Sequence, residues 1–282
     1  RPVSIYKIPV THVDKAAYPV IDVHSHDYAK TDEEILQWLK NMDSCGIEKT
    51  IVMTQTSGPK FDSIYNLYSK YGDRFEIWCG FDYTGYDKPG FGPAAVKELE
   101  RCVKIGAKGV GELGDKGLGL FYCEPVQAWG MHLDDPRMKP LFEKCAQLHM
   151  PINIHVADPV WMYEKMDSTN DGLMNAQEWR IDMTKPGIIG LDALIQTLEN
   201  AVKNNPDNIF IACHFANLNH DLAKLGILFD KYPNLYADIS ARYAESATIP
   251  RYMKAFYEKY QDRLLYGTDM SYPVSMYRIT FR

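Results

Sequence analysis

The sequence contains no long apolar segment. Its 282 residues are 46% hydrophobic, but none of the apolar runs approaches the roughly 18 residues that a membrane-spanning helix needs. An excess of positive charge is also lacking, since 31 Lys and Arg residues face 37 Asp and Glu residues, for a net charge of −6. Binding to nucleic acid or anionic lipid depends on a basic surface. We therefore expect a small-molecule substrate, with no nucleic acid and no membrane span.

Paired cysteines are missing as well. The six cysteines show no CxxC motif and no spacing of a disulfide framework. Several lie in apolar patterns, where free cysteine behaves as a small buried hydrophobe. This favours a reducing compartment such as the cytoplasm. Because the sequence starts at Arg1 and not at methionine, an exported form whose signal has been removed stays open.

Repeats, linkers and low-complexity segments are lacking too, and a regular alternation is present instead. Short apolar runs bounded by turn residues suit strands that are buried on both faces, as in parallel sheets. Eight such runs cover residues 18–26, 49–55, 75–83, 107–114, 151–158, 209–217, 234–240 and 263–270.

Helical segments separate most of these runs. Thr31 and Glu34 form a capping-box pattern, and Gly46 ends the helix that follows. Pro93 and Gly106 mark the start and the end of another helix. Similar apolar spacing covers residues 137–149, 191–204, 221–232 and 250–260.

Eight alternating units favour an α/β fold of the (β/α)8 TIM-barrel type over an open sheet. The barrel is expected to form a single domain over residues 1–282. Only 12 residues follow Met270, which are too few for an ordinary closing helix. The C-terminal helix is therefore expected to be incomplete.

Reactive side chains of such barrels lie at the C-terminal ends of the strands. The first run, YPVIDVHSH, ends on His24 and His26, and residues i and i+2 of a strand point to the same face. Imidazoles and carboxylates are common ligands of zinc-like cations. The other strand ends supply Glu112, His155, His214 and Asp269. Six competent side chains on one rim predict a metal site.

The order HxH on strand one, His on strands five and six, and Asp on strand eight resembles the amidohydrolase superfamily. It is most similar to the amidohydrolase-related branch that includes aminocarboxymuconate semialdehyde decarboxylase. The resemblance runs from about Tyr18 to Met270. It implies that a divalent metal, with zinc favoured and manganese an alternative, is held by His24, His26, His155 and Asp269. It also implies that His214 is a further ligand or an acid/base group.

Glu112 leaves the number of metal ions open. In related TatD-like enzymes a GE strand end supplies a metal-bridging carboxylate, and the stretch GVGELG looks similar. A second ion would then lie about 3.5–4 Å from the first. The alternative is that Glu112 does not bind the metal but orients a metal-binding histidine through a hydrogen bond.

The residues from Gly109 to Gly114 also spell GxGxxG, the dinucleotide-binding pattern. That pattern works only between a strand and the start of a helix. Here the apolar strand residues lie inside the motif, and the following DKGLGLFYCEP is not helical. A nicotinamide cofactor is therefore not expected.

A long insertion over residues 157–190 follows the fifth strand and is expected to form a lid over the barrel mouth. Within it, residues 167–178 read DSTNDGLMNAQE, which is similar to an EF-hand calcium loop. The candidate calcium ligands are Asp167, Thr169, Asp171, Leu173, Asn175 and Glu178. Threonine departs from the usual Asp or Asn at its position. The alternative is a polar loop whose acidic residues are solvated.

Two further residues are candidates for substrate binding. Trp161 either forms a wall of the pocket or only packs the insertion onto the barrel. Arg242 follows the seventh strand, where arginine suits a substrate carboxylate through paired hydrogen bonds. A structural salt bridge is the alternative for this arginine.

Three imidazoles and a carboxylate around an open position can lower the pKa of bound water to about 7. Asp269 would accept the proton of that water, and His214 would polarise the substrate carbonyl. The sequence thus predicts a metal-dependent hydrolase that uses metal-activated water to cleave a C–N or C–O bond in a small amide, lactone or ester. The alternatives are a non-oxidative decarboxylase or hydratase of an unsaturated or aromatic acid, and a calcium-stabilised binding protein. A homodimer is an open alternative for the assembly.

Overall fold

The computed structural model describes Lys7 and residues 11–281. Its strands are β1 (Val20–Ser25), β2 (Ile47–Met53), β3 (Phe75–Trp78), β4 (Val110–Asp115), β5 (Gly119–Leu120), β6 (Ala128–Trp129), β7 (Ile152–Val156), β8 (Phe210–Ala212), β9 (Leu235–Asp238) and β10 (Leu264–Leu265). Its α-helices are α1 (Asp32–Cys45), α2 (Gly58–Tyr68), α3 (Pro93–Ile105), α4 (Lys139–Gln147), α5 (Leu173–Trp179), α6 (Leu191–Asn204), α7 (Leu222–Lys231), α8 (Tyr243–Ser246), α9 (Pro250–Tyr260) and α10 (Val274–Thr280). Short 3-10 segments cover Ser69–Arg74, Pro136–Met138 and Val160–Met162.

Eight parallel strands follow one another around the barrel in chain order. They form two sheets, β1-β2-β3 and β4-β7-β8-β9-β10. One seam is closed where Cys79, just after β3, pairs in parallel with Val110 of β4. The other is closed where Val23 N donates to Tyr266 O at 2.9 Å. The predicted (β/α)8 barrel is confirmed, and β5 with β6 forms a separate antiparallel ribbon.

A buried carboxylate fastens the second seam. Asp22 on β1 accepts hydrogen bonds from Thr268 N at 3.0 Å and from Thr268 Oγ1 at 2.7 Å. Burial raises the pKa of Asp22 to about 6, although the hydrogen bonds from Thr268 oppose this. Since Thr268 immediately precedes Asp269, this contact holds the end of the last strand against the end of the first.

The predicted helix signals are also confirmed. Thr31 and Glu34 form a reciprocal capping box at the start of α1, and Gly46 ends the helix with a φ of 78°. α3 begins at Pro93 and is capped by Gly106. The Gly109–Gly114 pattern lies largely inside β4, which is the wrong place for a dinucleotide loop. All six cysteines are buried and unpaired.

The last strands are shorter than the apolar runs suggest. The run 209–217 forms only three strand residues, because the chain turns into the left-handed region from His214 to Asn217, with φ between 54° and 58°. A left-handed conformation costs an L-residue about 1–2 kcal/mol. Asn217 Nδ2 donates to the carbonyls of Val156 and Ala157, both at 3.1 Å, and holds the turn in place.

Residues 157–190 lie between β7 and α6 and contain α5. No helix of the described residues has the length and apolarity needed to cross a membrane. The last helix, α10, has seven residues, and the expectation that the C-terminal helix is incomplete stays a prediction.

Candidate metal centre

His24 and His26 lie side by side at the end of β1, with their ring centroids 5.5 Å apart. His24 Nδ1 is 2.8 Å from Asp238 Oδ2, and His26 Nδ1 is 2.9 Å from the carbonyl oxygen of Met53. Both partners accept hydrogen bonds, so each Nδ1 carries the ring proton in the neutral form. The Nε2 atom of each ring is then left as a free ligand.

Two carboxylates face these nitrogens. Asp269 Oδ1 is 3.4 Å from His24 Nε2 and 3.2 Å from His26 Nε2. Glu112 is slightly farther, at 3.7 Å from His24 Nε2 and 3.6 Å from His26 Nε2. Ligand atoms around a tetrahedral ion with bonds of about 2.1 Å are about 3.4 Å from one another. The spacing therefore suits a common cation.

The donor set fits a divalent metal on a second ground. His24 Nε2 is buried and has no hydrogen-bond partner, which is costly for a polar atom unless something else binds it. His24, His26 and Asp269 form one group whose ligand atoms lie within 4.8 Å of one another. His24, Glu112, Cys213 and His214 form another such group.

His214 reaches the centre through the left-handed turn after β8. Its Nδ1 is 2.9 Å from the carbonyl oxygen of Ser240, and its Nε2 is 3.6 Å from Asp269 Oδ2. Burial, and then the charge of Arg242, lower the pKa of His214 to about 3. The ring is therefore neutral at pH 7, with Nε2 available as a ligand or proton acceptor.

His155 takes a different position from the other imidazoles. Its Nδ1 is 2.8 Å from Glu112 Oε1, and its Nε2 is 3.1 Å from Asp158 Oδ1. Asp158 in turn pairs with Lys116 at 2.8 Å. His155 belongs to neither group of side chains described above, so its expected role as a direct ligand stays a prediction.

Glu112 lies at the middle of the centre. Its carboxylate contacts His155, accepts a hydrogen bond from Gln55 Nε2 at 3.0 Å and lies 3.8 Å from His214 Nε2. Burial opposes its ionisation, but the charge and hydrogen bond of His155 lower the pKa of Glu112 below its usual range. The geometry is thus compatible with Glu112 as a metal ligand and with Glu112 as a residue that orients His155.

Asp269 is the carboxylate of the centre that is open to solvent. Its side chain is 24% exposed, whereas that of Glu112 is 4% exposed. Burial opposes ionisation, yet the charge of His24 holds the pKa of Asp269 well below its usual value. Burial lowers the pKa of His24, but Asp238 and then Asp269 raise it more strongly. Without a metal, the proton on His24 balances the charge of these carboxylates, and a bound cation would replace that proton.

Several residues of the centre are not anticipated by the sequence patterns. Asp238 and Ser240 could be found by reading the end of the seventh strand for polar residues, as is done for the other strands. Ser240 Oγ lies 3.1 Å from His24 Nδ1 and 2.9 Å from His214 Nδ1. Cys213 gives no such signal, because strand alternation places it on the opposite face from His214.

Both candidates for substrate binding have partners within the protein. Trp161 packs on Gly172, where a Cβ would lie 2.2 Å from its ring. Arg242 Nε and Nη2 are 3.2 and 2.5 Å from Asn217 Oδ1, and Nη1 is 3.0 Å from the carbonyl oxygen of Ala241. No carboxylate of the described residues pairs with Arg242.

The candidate calcium loop differs from an EF-hand in its backbone. α5 begins at Leu173, the seventh loop position, whose carbonyl oxygen is a ligand in an EF-hand. Asp167 Oδ1 accepts hydrogen bonds from Thr169 N and Thr169 Oγ1 at 2.9 and 2.6 Å. No group of metal-binding side chains is found at this loop among the described residues. Calcium binding would require rearrangement here and stays a prediction.

A family model described as amidohydrolase matches residues 82–281, which is more than half of the chain. The chain belongs to the amidohydrolase family. The family match confirms the resemblance inferred from the strand-end residues. No curated protein matches the sequence.

Solved structures with the same fold cover nearly the whole chain of this amidohydrolase. A 2,6-dihydroxybenzoate decarboxylase has a TM-score of 0.56 and 16% identity, with 94% of this chain and 92% of that chain covered. The 5-carboxyvanillate decarboxylase of Novosphingobium aromaticivorans, complexed with manganese, has a TM-score of 0.56 and 15% identity, with 96% and 93% covered. A TIM-barrel protein from Bordetella bronchiseptica has a TM-score of 0.57 and 14% identity, with 93% and 89% covered. At these identities the likeness establishes the fold alone.

Proposed function

We propose that the protein is a metal-dependent lyase that releases carbon dioxide from a small aromatic or unsaturated carboxylic acid. The observation that carries the proposal is the guanidinium of Arg242. It lies close enough to His214 to lower the pKa of that ring, and its hydrogen-bond partners are the neutral Asn217 and Ala241. A positive charge beside the metal centre, with no carboxylate partner among the described residues, suits a substrate carboxylate.

The related folds support the same reaction class. Two of the similar structures are named as decarboxylases of aromatic acids. Their acids carry a carboxylate on a ring, and one of them was solved with manganese. A fold can host several reactions, so this support is an analogy that the site residues must justify.

The chain offers ligands and a proton carrier for this reaction. His24, His26 and Asp269 would hold a divalent cation, which when bound would draw electron density from a substrate oxygen and stabilise developing negative charge. Asp269 is the exposed carboxylate of the set and can carry a proton between solvent and the substrate carbon. Tyr28 donates a hydrogen bond to Asp269 Oδ1 at 3.4 Å. In the overall reaction, a carboxylate and one proton give carbon dioxide and a new C–H bond.

His214 and Glu112 complete the surroundings of the reacting group. His214 is neutral and buried, so its Nε2 accepts rather than donates a proton at pH 7. Glu112 balances the charge of the imidazoles around it. Tyr122 packs edge-on against His155, with their ring centroids 5.5 Å apart, and provides an aromatic wall for a planar substrate.

The proposal is tested with protein loaded with zinc or manganese and a panel of hydroxybenzoic and unsaturated acids labelled with ¹³C in the carboxyl group. We expect labelled carbon dioxide that depends on the metal and is abolished by a chelator. The same preparations are offered amides, lactones and esters. Hydrolysis of these compounds without carbon dioxide release would overturn the lyase proposal and support the hydrolase that the sequence predicts.

A further inference from the structure

We infer that Cys213 is an inner ligand of the metal centre, which makes the site selective for a soft divalent cation. With His24, Glu112 and His214, its thiolate would complete a ligand set of two nitrogens, one oxygen and one sulfur. Such sets are typical of zinc and cadmium rather than manganese or magnesium. The inference concerns the choice of metal and stands whichever reaction the protein catalyses.

The first argument is geometric. One ligand atom from each of His24, Glu112, Cys213 and His214 lies within 4.8 Å of the others. Glu112 Oε1 is 3.7 Å from His24 Nε2 and 3.8 Å from His214 Nε2. These distances are close to the roughly 3.4 Å between ligands of a tetrahedral ion with bonds of about 2.1 Å. Glu112 Oε1 and each of these two imidazole nitrogens therefore need only a small contraction to bind the same cation, and the Cys213 thiol lies within 4.8 Å of them.

The backbone explains how two consecutive residues reach the same centre. In a regular strand Cys213 and His214 would point to opposite faces. β8 ends at Ala212, and the left-handed turn begins at His214. Asp238 Oδ1 accepts a hydrogen bond from His214 N at 2.9 Å and anchors the turn. Strained backbone of this kind is typically kept where a site requires it.

A second observation points to a ligand at the same place. His24 is completely buried, and its Nε2 has no hydrogen-bond partner. The other ring nitrogen is held by Asp238, so Nε2 faces the two groups of ligands and nothing satisfies it. A neutral imidazole can bind a cation through the free lone pair of this nitrogen.

The two groups share His24 but differ in chemical character. The outer group, His24, His26 and Asp269, offers nitrogen and oxygen and is partly exposed. In the inner group, which contains Cys213, every member is buried. Because one imidazole nitrogen binds one ion, the groups describe two positions for a single ion. Soft cations would take the inner position, and hard cations the outer one.

Ligation changes the state of the thiol. The Cys213 thiol donates a hydrogen bond to Asn153 Oδ1, with the sulfur 2.8 Å from that oxygen. On binding, the S–H bond is broken, a sulfur–metal bond forms and the proton leaves to solvent. No oxidant or reductant is required.

The test uses full-length protein stripped of metal and titrated with cobalt(II). We expect a thiolate-to-cobalt charge-transfer band in the near ultraviolet for the wild type. The band should be absent in Cys213→Ala, while the visible cobalt bands from the nitrogen and oxygen ligands persist. Cys123→Ala is the control, because Cys123 is buried but belongs to neither ligand group, and it should keep the band.

Metal competition gives an independent readout. Cys213→Ala should lose about tenfold or more in cadmium affinity while its manganese affinity changes by less than about twofold. A ¹¹³Cd NMR spectrum of the wild type should show the downfield shift of a sulfur ligand, which requires no variant to fold. Cobalt bound without a charge-transfer band, or a cadmium signal typical of nitrogen and oxygen ligands alone, would overturn the inference. Neither readout depends on decarboxylase activity.

Discussion

The Asp238 carboxylate lies behind His24, with Oδ2 2.8 Å from Nδ1 of the ring. The contact fixes the proton on Nδ1 and leaves Nε2 as the ligand atom, and it also sets the ring orientation. Such carboxylate–histidine pairs behind a metal typically affect its affinity by about 10–100-fold. The seventh strand thus contributes to the centre without offering a ligand of its own.

Replacing this carboxylate should weaken metal binding. For Asp238→Asn we expect a loss of about 10–100-fold in zinc affinity, measured by competition with a chromophoric chelator. Asp230→Asn is the control, because the Asp230 side chain is 58% exposed and pairs with a surface lysine. Equal affinities of the two variants would show that Asp238 has no positioning role.

Substitution of Glu112 tests whether this residue binds the metal or only supports His155. In Glu112→Gln we expect a lower metal content than in the wild type after purification without added metal, because a carboxylate binds a cation far better than an amide does. The measurement is elemental analysis of both proteins. Gln55→Ala, which removes the amide that contacts Glu112, should retain more metal than Glu112→Gln. If Glu112→Gln kept the same stoichiometry and occupancy, the ligand role would be wrong.

Arg242 should affect binding of an acidic substrate more than turnover. Losing a charge-assisted hydrogen bond costs about 1.5–3 kcal/mol, so Arg242→Gln should raise KM for a carboxylate substrate by about 10–100-fold. We expect a smaller effect on kcat, measured by carbon dioxide release. The exposed Arg251 on α9 supplies a control in Arg251→Gln, which should behave as wild type. A fall in kcat with KM unchanged would argue against substrate binding by Arg242.

His132 should make stability depend on pH. Its Nδ1 is 2.7 Å from Asp115 Oδ2, and that hydrogen bond raises the pKa of His132 despite partial burial. The protonated ring binds the carboxylate most strongly, so the gain is fully present below the unfolded pKa of about 6.5. It is lost as the pH rises through the raised pKa of the folded state.

The variant His132→Asn should therefore destabilise the protein more at pH 6 than at pH 9, measured by urea unfolding. His149→Asn is the control, because His149 is exposed and asparagine tolerates its φ of 53°. A destabilisation by His132→Asn that is the same at both pH values would contradict this account.

The order of the barrel elements could be predicted because it depends on local patterns. The capping box at Thr31, the glycine after α1 and the spacing of apolar residues each specify a helix through contacts within a few residues. Alternating helices and apolar runs then leave few arrangements other than a parallel barrel. The rule that reactive residues end the strands was enough to nominate His24, His26 and Asp269, because strand direction in such a barrel is uniform.

Which of these residues contact one another was decided only by the tertiary structure. His155 lies against Glu112 and Asp158, and Cys213 enters the centre beside His214, because a left-handed turn replaces the end of a strand. Left-handed φ values of residues other than glycine cannot be predicted from the local sequence, because hydrogen bonds to residues far along the chain offset their conformational energy. Here the partner is Asp238, which accepts from His214 N and from His24 Nδ1, and such contacts exist only after the barrel has closed.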